Sequence, residues 1–238
     1  MLLDWDGFFR AKPYGNKLDA VKEQSIMDMG EECLAQYLPT KWDDKCRRQI
    51  AYVITTAGWE TNLSFQPVEE AYWITPRSKR HQVLTNFYTT GKGRNHQKTI
   101  IKKVNGNTVL YIGRGYVQLT HDYNYKEFSQ YLFKDDSLYN DPDMALDTDI
   151  AMDILVGWFY WKHSVKFNTY VSDNSWDLKK LRSIVNGTDK WDVIASQAKV
   201  NYNALNWSKA IPTFESVSLY DRLKLSLNNL HNLQKLYL

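Results

Sequence analysis

The sequence predicts a mainly α-helical fold with one small β-hairpin lobe. Apolar residues recur at helical spacing along several long segments. β-branched residues flank a single Asn-Gly turn in the segment 98–112, a pattern typical of a hairpin. Of the 238 residues, 43% are hydrophobic and 24% are charged, as expected for a globular chain long enough to bury its own core.

The first two predicted helices lie on either side of Pro39, which cannot continue a helix. One covers residues 18–38. The next begins at a capping aspartate, Asp43 or Asp44, and extends to about Thr61. Its apolar residues have the i, i+3, i+4, i+7 spacing of one buried stripe: Ile50, Val53, Ile54 and Ala57.

The rest of the chain after the hairpin is also predicted to be largely helical. A mostly apolar helix is expected over 148–161, and two more near 176–185 and 189–206. Leucines three or four residues apart predict a further helix within 215–238, which either packs on the body or forms an oligomer contact. Residues 1–16 are expected to be irregular because a proline and a glycine interrupt any pattern.

Composition excludes several classes of protein. The formal net charge is +3 and charges occur throughout the chain, so no Lys/Arg block predicts a nucleic-acid-binding tail. Two cysteines, Cys33 and Cys46, do not make a disulfide framework and are expected to be free thiols. The five histidines show no metal-ligand spacing. We therefore expect no metal, no cofactor and no nucleic-acid partner.

The start of the chain and its hydropathy bear on secretion and membrane insertion. The start, MLLDWDGFF, lacks the basic and apolar regions of a secretory signal. No run of 18 apolar residues is present, so membrane insertion is not expected. If the protein acts outside the cell that makes it, something else must release it.

Glu60 is the first candidate catalytic residue. It lies three residues after Ala57 and seven after Val53, so it continues their buried stripe. Burial disfavours the charged carboxylate and raises its pKa, which suits a general acid that donates a proton near neutral pH. The structural alternative is a Glu60 that reaches solvent at the helix end or pairs with an arginine.

Two more carboxylates follow on a turn after Pro67. Glu69 and Glu70 are placed to face back toward the end of the Glu60 helix. Paired carboxylates across a cleft are the usual equipment for cutting a glycosidic bond. A solvated acidic turn is the plainer interpretation of a Glu-Glu pair, and the pattern alone leaves both open.

Three stretches resemble the family 19 glycoside hydrolases, a lysozyme-like group that includes plant chitinases and many phage endolysins. AYVITTAGWETNLSFQPVEEAYW is similar to the family's Ala/Thr-rich helix with its His-Glu-Thr end and Pro-Val-Arg-Glu turn. YIGRGYVQLTHDYNY is similar to its Tyr-Gly-Arg-Gly-x-x-Gln-Leu-Thr/Ser-x-x-x-Asn-Tyr signature. LRSIVNGTDKWDVIASQAKVNYNAL is similar to its Arg-x-Ile-Asn-Gly segment and closing helix. The resemblance implies a lysozyme-like helical domain over 41–206, with 1–40 as an N-terminal extension containing a helix and 207–238 as a C-terminal helical extension.

The resemblance also implies roles for individual residues. Glu60 becomes the general acid, and Glu70, or its neighbour Glu69, the second carboxylate of an inverting mechanism. Amide and hydroxyl side chains at four matching positions are implied to hold substrate and water: Gln118, Thr120, Asn124 and Asn186. From the residues alone, Gln118 and Asn124 could instead bond to backbone in a turn or cap.

Two positions depart from the family pattern. Trp59 replaces the usual His, which could tune the pKa of Glu60 or mark lost activity. Glu69 replaces the usual Arg, and two adjacent like charges would favour protonating one of them.

The function that the resemblance implies is cleavage of β-1,4 bonds in peptidoglycan. The alternatives are chitin cleavage by the same mechanism and a catalytically silent wall-binding or structural phage module. The terminal extensions could contact virion proteins. The resemblance also implies a protein made in the cytoplasm of a bacterial host that acts on the cell wall, either after release or as part of a virion.

Overall fold

The computed structural model describes residues 3–36 and 43–207. Helices dominate this part of the chain, which confirms the mainly α fold. In chain order they are α1 Trp5–Arg10, α2 Ala20–Ala35, α3 Asp44–Glu60, α4 Arg77–Thr89, α5 Gln97–Ile100, α6 Asp122–Phe133, α7 Ser137–Asn140, α8 Thr148–Gly157, α9 Ser164–Tyr170, α10 Leu178–Asn186 and α11 Trp191–Ala204. The predicted helix within 215–238 lies outside the described residues.

Within the described residues, four short strands form two antiparallel pairs. The strands are β1 Val68–Glu69, β2 Ile101–Val104, β3 Asn107–Leu110 and β4 Arg114–Gly115. Strands β2 and β3 make the predicted hairpin, whose turn residues Asn105 and Gly106 both have positive φ, 48° and 82°. An Asn-Gly pair adopts these angles with little strain. Strand β1 pairs with β4, which brings the Glu69–Glu70 turn against the Gly-Arg-Gly segment.

The long predicted helices are present, with shifted ends. The Asp43 carboxylate caps α3 by accepting from the Cys46 N–H at 3.0 Å. The apolar helix predicted over 148–161 is α-helical to Gly157 and continues as one π-helical turn to Lys162. The prediction that 1–16 is irregular is wrong for α1, which Asp4 caps by accepting from the Gly7 N–H.

One main core joins α3 to α2, α8 and α11. Residues 3–36, predicted as an extension, contribute side chains to this same core. The Asp4 N–H donates to the Asn206 carbonyl at 2.8 Å, so the two ends of the described chain meet. Cys33 and Cys46 are buried and free, as predicted.

A second, smaller core belongs to residues 71–112, the hairpin lobe. It contains side chains from α4, α5 and the hairpin: Ala71, Leu84, Tyr88, Ile100, Leu110 and Ile112. No helix among the described residues is both long and apolar enough to cross a membrane.

Candidate active site

Glu60 is the last residue of α3, where the buried face of the helix meets the surface. Its side chain is 12% exposed, and its Oε1 accepts from the Arg182 Nη1 at 2.6 Å. Burial raises the pKa of the Glu60 carboxyl above its usual range, while the charge and hydrogen bond of Arg182 offset part of that rise. The residue is therefore shielded, as predicted, and it pairs with an arginine, as the structural alternative required.

Arg182 was not identified from the sequence. It lies on α10, its side chain is 3% exposed, and its Nε donates to the Asp189 carbonyl at 3.2 Å. The signal was present, because Arg182 lies four residues after Leu178 and one after Leu181 on the buried face of an amphipathic helix. An arginine on such a face needs an anionic partner.

Glu70 follows β1 and is held in one orientation by two donors. The Tyr88 hydroxyl donates to Oε1 at 2.8 Å, and the Gly113 N–H donates to Oε2 at 3.0 Å. The backbones are also joined, because the Glu70 N–H donates to the Gly113 carbonyl at 2.7 Å. Since a carboxylate has about four acceptor sites, two donors leave it able to accept from a water as well.

A side chain at Gly113 would require Gln118 to move. A Cβ at this position would lie 2.7 Å from the Gln118 Oε1, closer than side-chain carbons approach oxygen. The glycine therefore lets the backbone reach Glu70 while Gln118 stays in its own contacts.

Glu69 points into a different environment from its neighbour. Its side chain is 2% exposed, and its oxygens contact Arg77, Arg80 and His81 at 2.7–3.1 Å, with the Arg114 guanidinium at 3.4 Å. Burial alone would raise its pKa, but the hydrogen bonds from Arg77, His81 and Arg80 and the charge of Arg114 lower the pKa of Glu69 to about 2. Glu69 is therefore held as a carboxylate, and it is not the member of the adjacent pair that the sequence-based expectation would protonate.

The turns that carry the two candidate carboxylates touch each other. Two residues beyond Glu60, the Asn62 Nδ2 donates to the hydroxyl of Tyr72 at 3.3 Å, and Tyr72 lies two residues beyond Glu70. Trp59 is 39% exposed beside Glu60. Its indole therefore faces outward at the end of α3.

Three of the predicted polar residues lie in the segment 111–125, called the signature loop below, and bond to backbone there or in the neighbouring β1. The Gln118 Nε2 donates to the Val68 and Gly115 carbonyls at 2.9 and 3.2 Å. The Thr120 hydroxyl donates to the Gln118 carbonyl at 2.7 Å, and the Asn124 Nδ2 donates to the Thr120 carbonyl at 2.7 Å. These bonds tie β1 to β4 and shape the loop that carries Gly113, the role given by the structural alternative for Gln118 and Asn124.

Asn186 is placed apart from that loop. It is the last residue of α10, is exposed, and precedes Gly187, whose φ is 53°. It lies one helical turn beyond Arg182, so α10 connects it to the Glu60 ion pair.

No set of three or more His, Cys, Asp or Glu side chains in the described part of the chain is arranged to hold a metal ion. No known family model matches the sequence, and no curated protein is significantly similar to it.

Proposed function

We propose that this chain is a glycoside hydrolase that cleaves β-1,4 bonds of peptidoglycan by an inverting mechanism. Glu60 is the general acid and Glu70 the general base. The observation that carries the proposal is the contrast between two carboxyls: Glu60 is shielded with a raised pKa, and Glu70 is oriented by two donors. Two carboxyls in unlike surroundings are the usual mark of acid and base in one site.

The chemistry assigns one proton transfer to each residue. Glu60 gives its proton to the glycosidic oxygen as the bond to the anomeric carbon breaks. Glu70 takes a proton from a water, whose oxygen attacks the anomeric carbon from the opposite face. The inverting mechanism requires carboxyl groups about 6.5–9.5 Å apart, with the water between them.

Arg182 is a positioning residue in this mechanism. Once Glu60 has given up its proton it is a carboxylate, and the Arg182 guanidinium at 2.6 Å stabilises the new charge. Arg182 also restrains the acid from drawing away from the substrate. Burial raises the pKa of Glu60 and so opposes the effect of the Arg182 charge, which lets Glu60 still bind a proton.

We assign the base to Glu70 in preference to Glu69. Three arginines and His81 contact Glu69 and hold it as an ionised structural anion, with a pKa too low to take a proton from water efficiently. Gln118, Thr120 and Asn124 keep the signature loop in shape, and Asn186 is the exposed amide available to a substrate.

The Glu60–Arg182 pair also favours a second candidate, a catalytically silent fold that binds walls. A fully closed ion pair would hold Glu60 ionised and unable to donate a proton. The enzyme and the silent module differ in whether Glu60 binds a proton and donates it to a bound glycan.

Clearing of purified bacterial walls by wild type, Glu60→Gln and Glu70→Gln tests the proposal. We expect clearing by wild type, and a loss of at least about a hundredfold in either variant, with the α-anomer as the first product by NMR. Chitooligosaccharide release without wall clearing would assign chitin as the substrate. Wall binding without any hydrolysis would assign the silent module, and full activity of Glu60→Gln would refute both residue roles.

A further inference from the structure

The two signs of charge are distributed very unevenly along this chain. The hairpin lobe, residues 71–112, contains eight Lys and Arg residues and no Asp or Glu. The remainder contains 22 of the 30 basic residues and all 27 acidic ones. The small overall charge of +3 therefore conceals a strongly cationic lobe on a net acidic body.

Three of the eight cations are neutralised within the protein. Arg77 and Arg80 pair with Glu69, and the Lys102 Nζ lies 2.7 Å from Asp122. The other five are exposed, and none of them pairs with a carboxylate of the described chain: Lys79, Lys92, Arg94, Lys98 and Lys103. Their mutual repulsion is a cost to folding that no carboxylate within 3–36 or 43–207 offsets.

These five cations sit on a framework that joins the proposed active site. Lys79 is on α4, Lys98 on α5 and Lys103 on β2, and all three elements pack on the second core. Tyr88, also on α4, is the residue whose hydroxyl holds Glu70. The cationic surface and the proposed base therefore belong to one connected unit.

We propose that the exposed cations of the hairpin lobe bind a linear phosphodiester polymer attached to the wall glycan. Several separate point charges on flexible stems suit a flexible ligand with repeated negative charge. The choice of a wall polymer rests on the function proposed above. A rigid nucleic-acid duplex fits less well, because it would extend beyond the lobe and meet the net acidic body.

Such binding would hold the enzyme on the wall next to the bonds it cuts. Electrostatic attraction raises the local concentration of an anionic substrate and the rate of encounter. The lobe would thereby contribute to attack on polymeric walls, and not to hydrolysis of small uncharged oligosaccharides.

Two matched triple variants test the proposal in the full chain. The lobe variant carries Gln at Lys92, Lys98 and Lys103. The control variant carries Gln at Lys134, Lys166 and Lys199, which are exposed and lie outside the lobe. Both lose three positive charges, so their net charges are equal. Each is made in the Glu60→Gln background and sedimented with walls that bear the polymer, at about 50 and about 200 mM NaCl.

We expect the lobe variant to bind walls at least about tenfold more weakly at the lower salt concentration, with a flatter salt dependence. The control variant should stay within about threefold of the parent. Equal losses in both variants would overturn the proposal, and so would undiminished binding to walls stripped of the phosphodiester polymer. Tighter lobe-dependent binding to duplex DNA than to the wall polymer would assign the lobe to nucleic acid instead.

The same proteins with Glu60 restored separate this inference from the proposed function. Lobe-dependent wall binding by a wild type that hydrolyses nothing would leave the binding surface standing and refute the enzyme. Hydrolysis of walls without lobe-dependent binding would support the enzyme and refute the binding surface.

Discussion

Glu69→Gln tests the stability contributed by the buried cluster in which arginines and His81 surround Glu69. The Glu69 pKa falls from its ordinary 4.5 to about 2. At about 1.4 kcal/mol per pKa unit, this difference corresponds to about 3 kcal/mol of stability. Arg77 and His81 are 45% and 33% exposed, so water screens part of their attraction and we expect about 1–2 kcal/mol.

The pH at which this stabilisation disappears follows from the direction of the shift. The native carboxyl binds its proton more weakly than the unfolded one, so the contribution is complete above about pH 5 and is lost as the pH falls to about 2. Glu69→Gln lacks this titration. The free energy of unfolding should therefore differ most between wild type and variant at pH 7, and the difference should shrink by about 1–2 kcal/mol at low pH.

Urea unfolding followed by tryptophan fluorescence, at several pH values between about 7 and 2, measures this difference. Glu127→Gln is the control, because Glu127 is 44% exposed in its pair with Lys162 and should contribute less than about 1 kcal/mol at any pH. A wild-type advantage over Glu69→Gln that stays constant from neutral to acid pH would refute the reasoning.

Three further predictions concern the acid, the loop and the thiols. Wall clearing should decline as the pH rises through the pKa of Glu60, because the general acid then loses its proton. Arg182→Gln removes the charge that lowers this pKa and should move the decline to higher pH. An unchanged pH profile would contradict a role for the ion pair. Gly113→Ala should lower the free energy of unfolding in urea by about 1–3 kcal/mol, because its Cβ would lie 2.7 Å from the Gln118 Oε1. An unchanged free energy would show that Gln118 moves away without cost. Cys33 and Cys46 are 0% exposed, and burial raises the pKa of Cys46 to about 12. A thiol reagent should therefore label neither cysteine until the protein unfolds. Rapid labelling of the native protein would be inconsistent with their burial.

Local sequence signals predicted the elements whose cause is local. The hairpin turn needs positive φ at two positions, and Asn105–Gly106 provides it without tertiary help. Helix α3 has both a capping aspartate and a continuous apolar stripe. Helix α4 went unpredicted because only Leu84 and Tyr88 of its 13 residues are buried, too few to make a periodic pattern.

The contact between Glu60 and Arg182 could not be predicted from the sequence, because the two residues are far apart along the chain. The pattern on α3 indicated a shielded carboxyl, and the pattern on α10 placed an arginine on a buried face. That these two side chains meet, 122 residues apart, depends on how the helices pack. A single sequence contains no local signal for such a contact.

The sequence by itself determined the mainly helical fold and the hairpin, and it placed Glu60 on a buried stripe, because helical periodicity and turn chemistry act over a few residues. Only the tertiary structure showed that Glu69 and Glu70 have different surroundings. Consecutive side chains of an extended segment point to opposite sides, so pairing with β4 directs Glu69 into the arginine cluster and leaves Glu70 to Tyr88 and Gly113. The groups that meet each carboxylate come from distant elements, and their approach is a property of the folded chain.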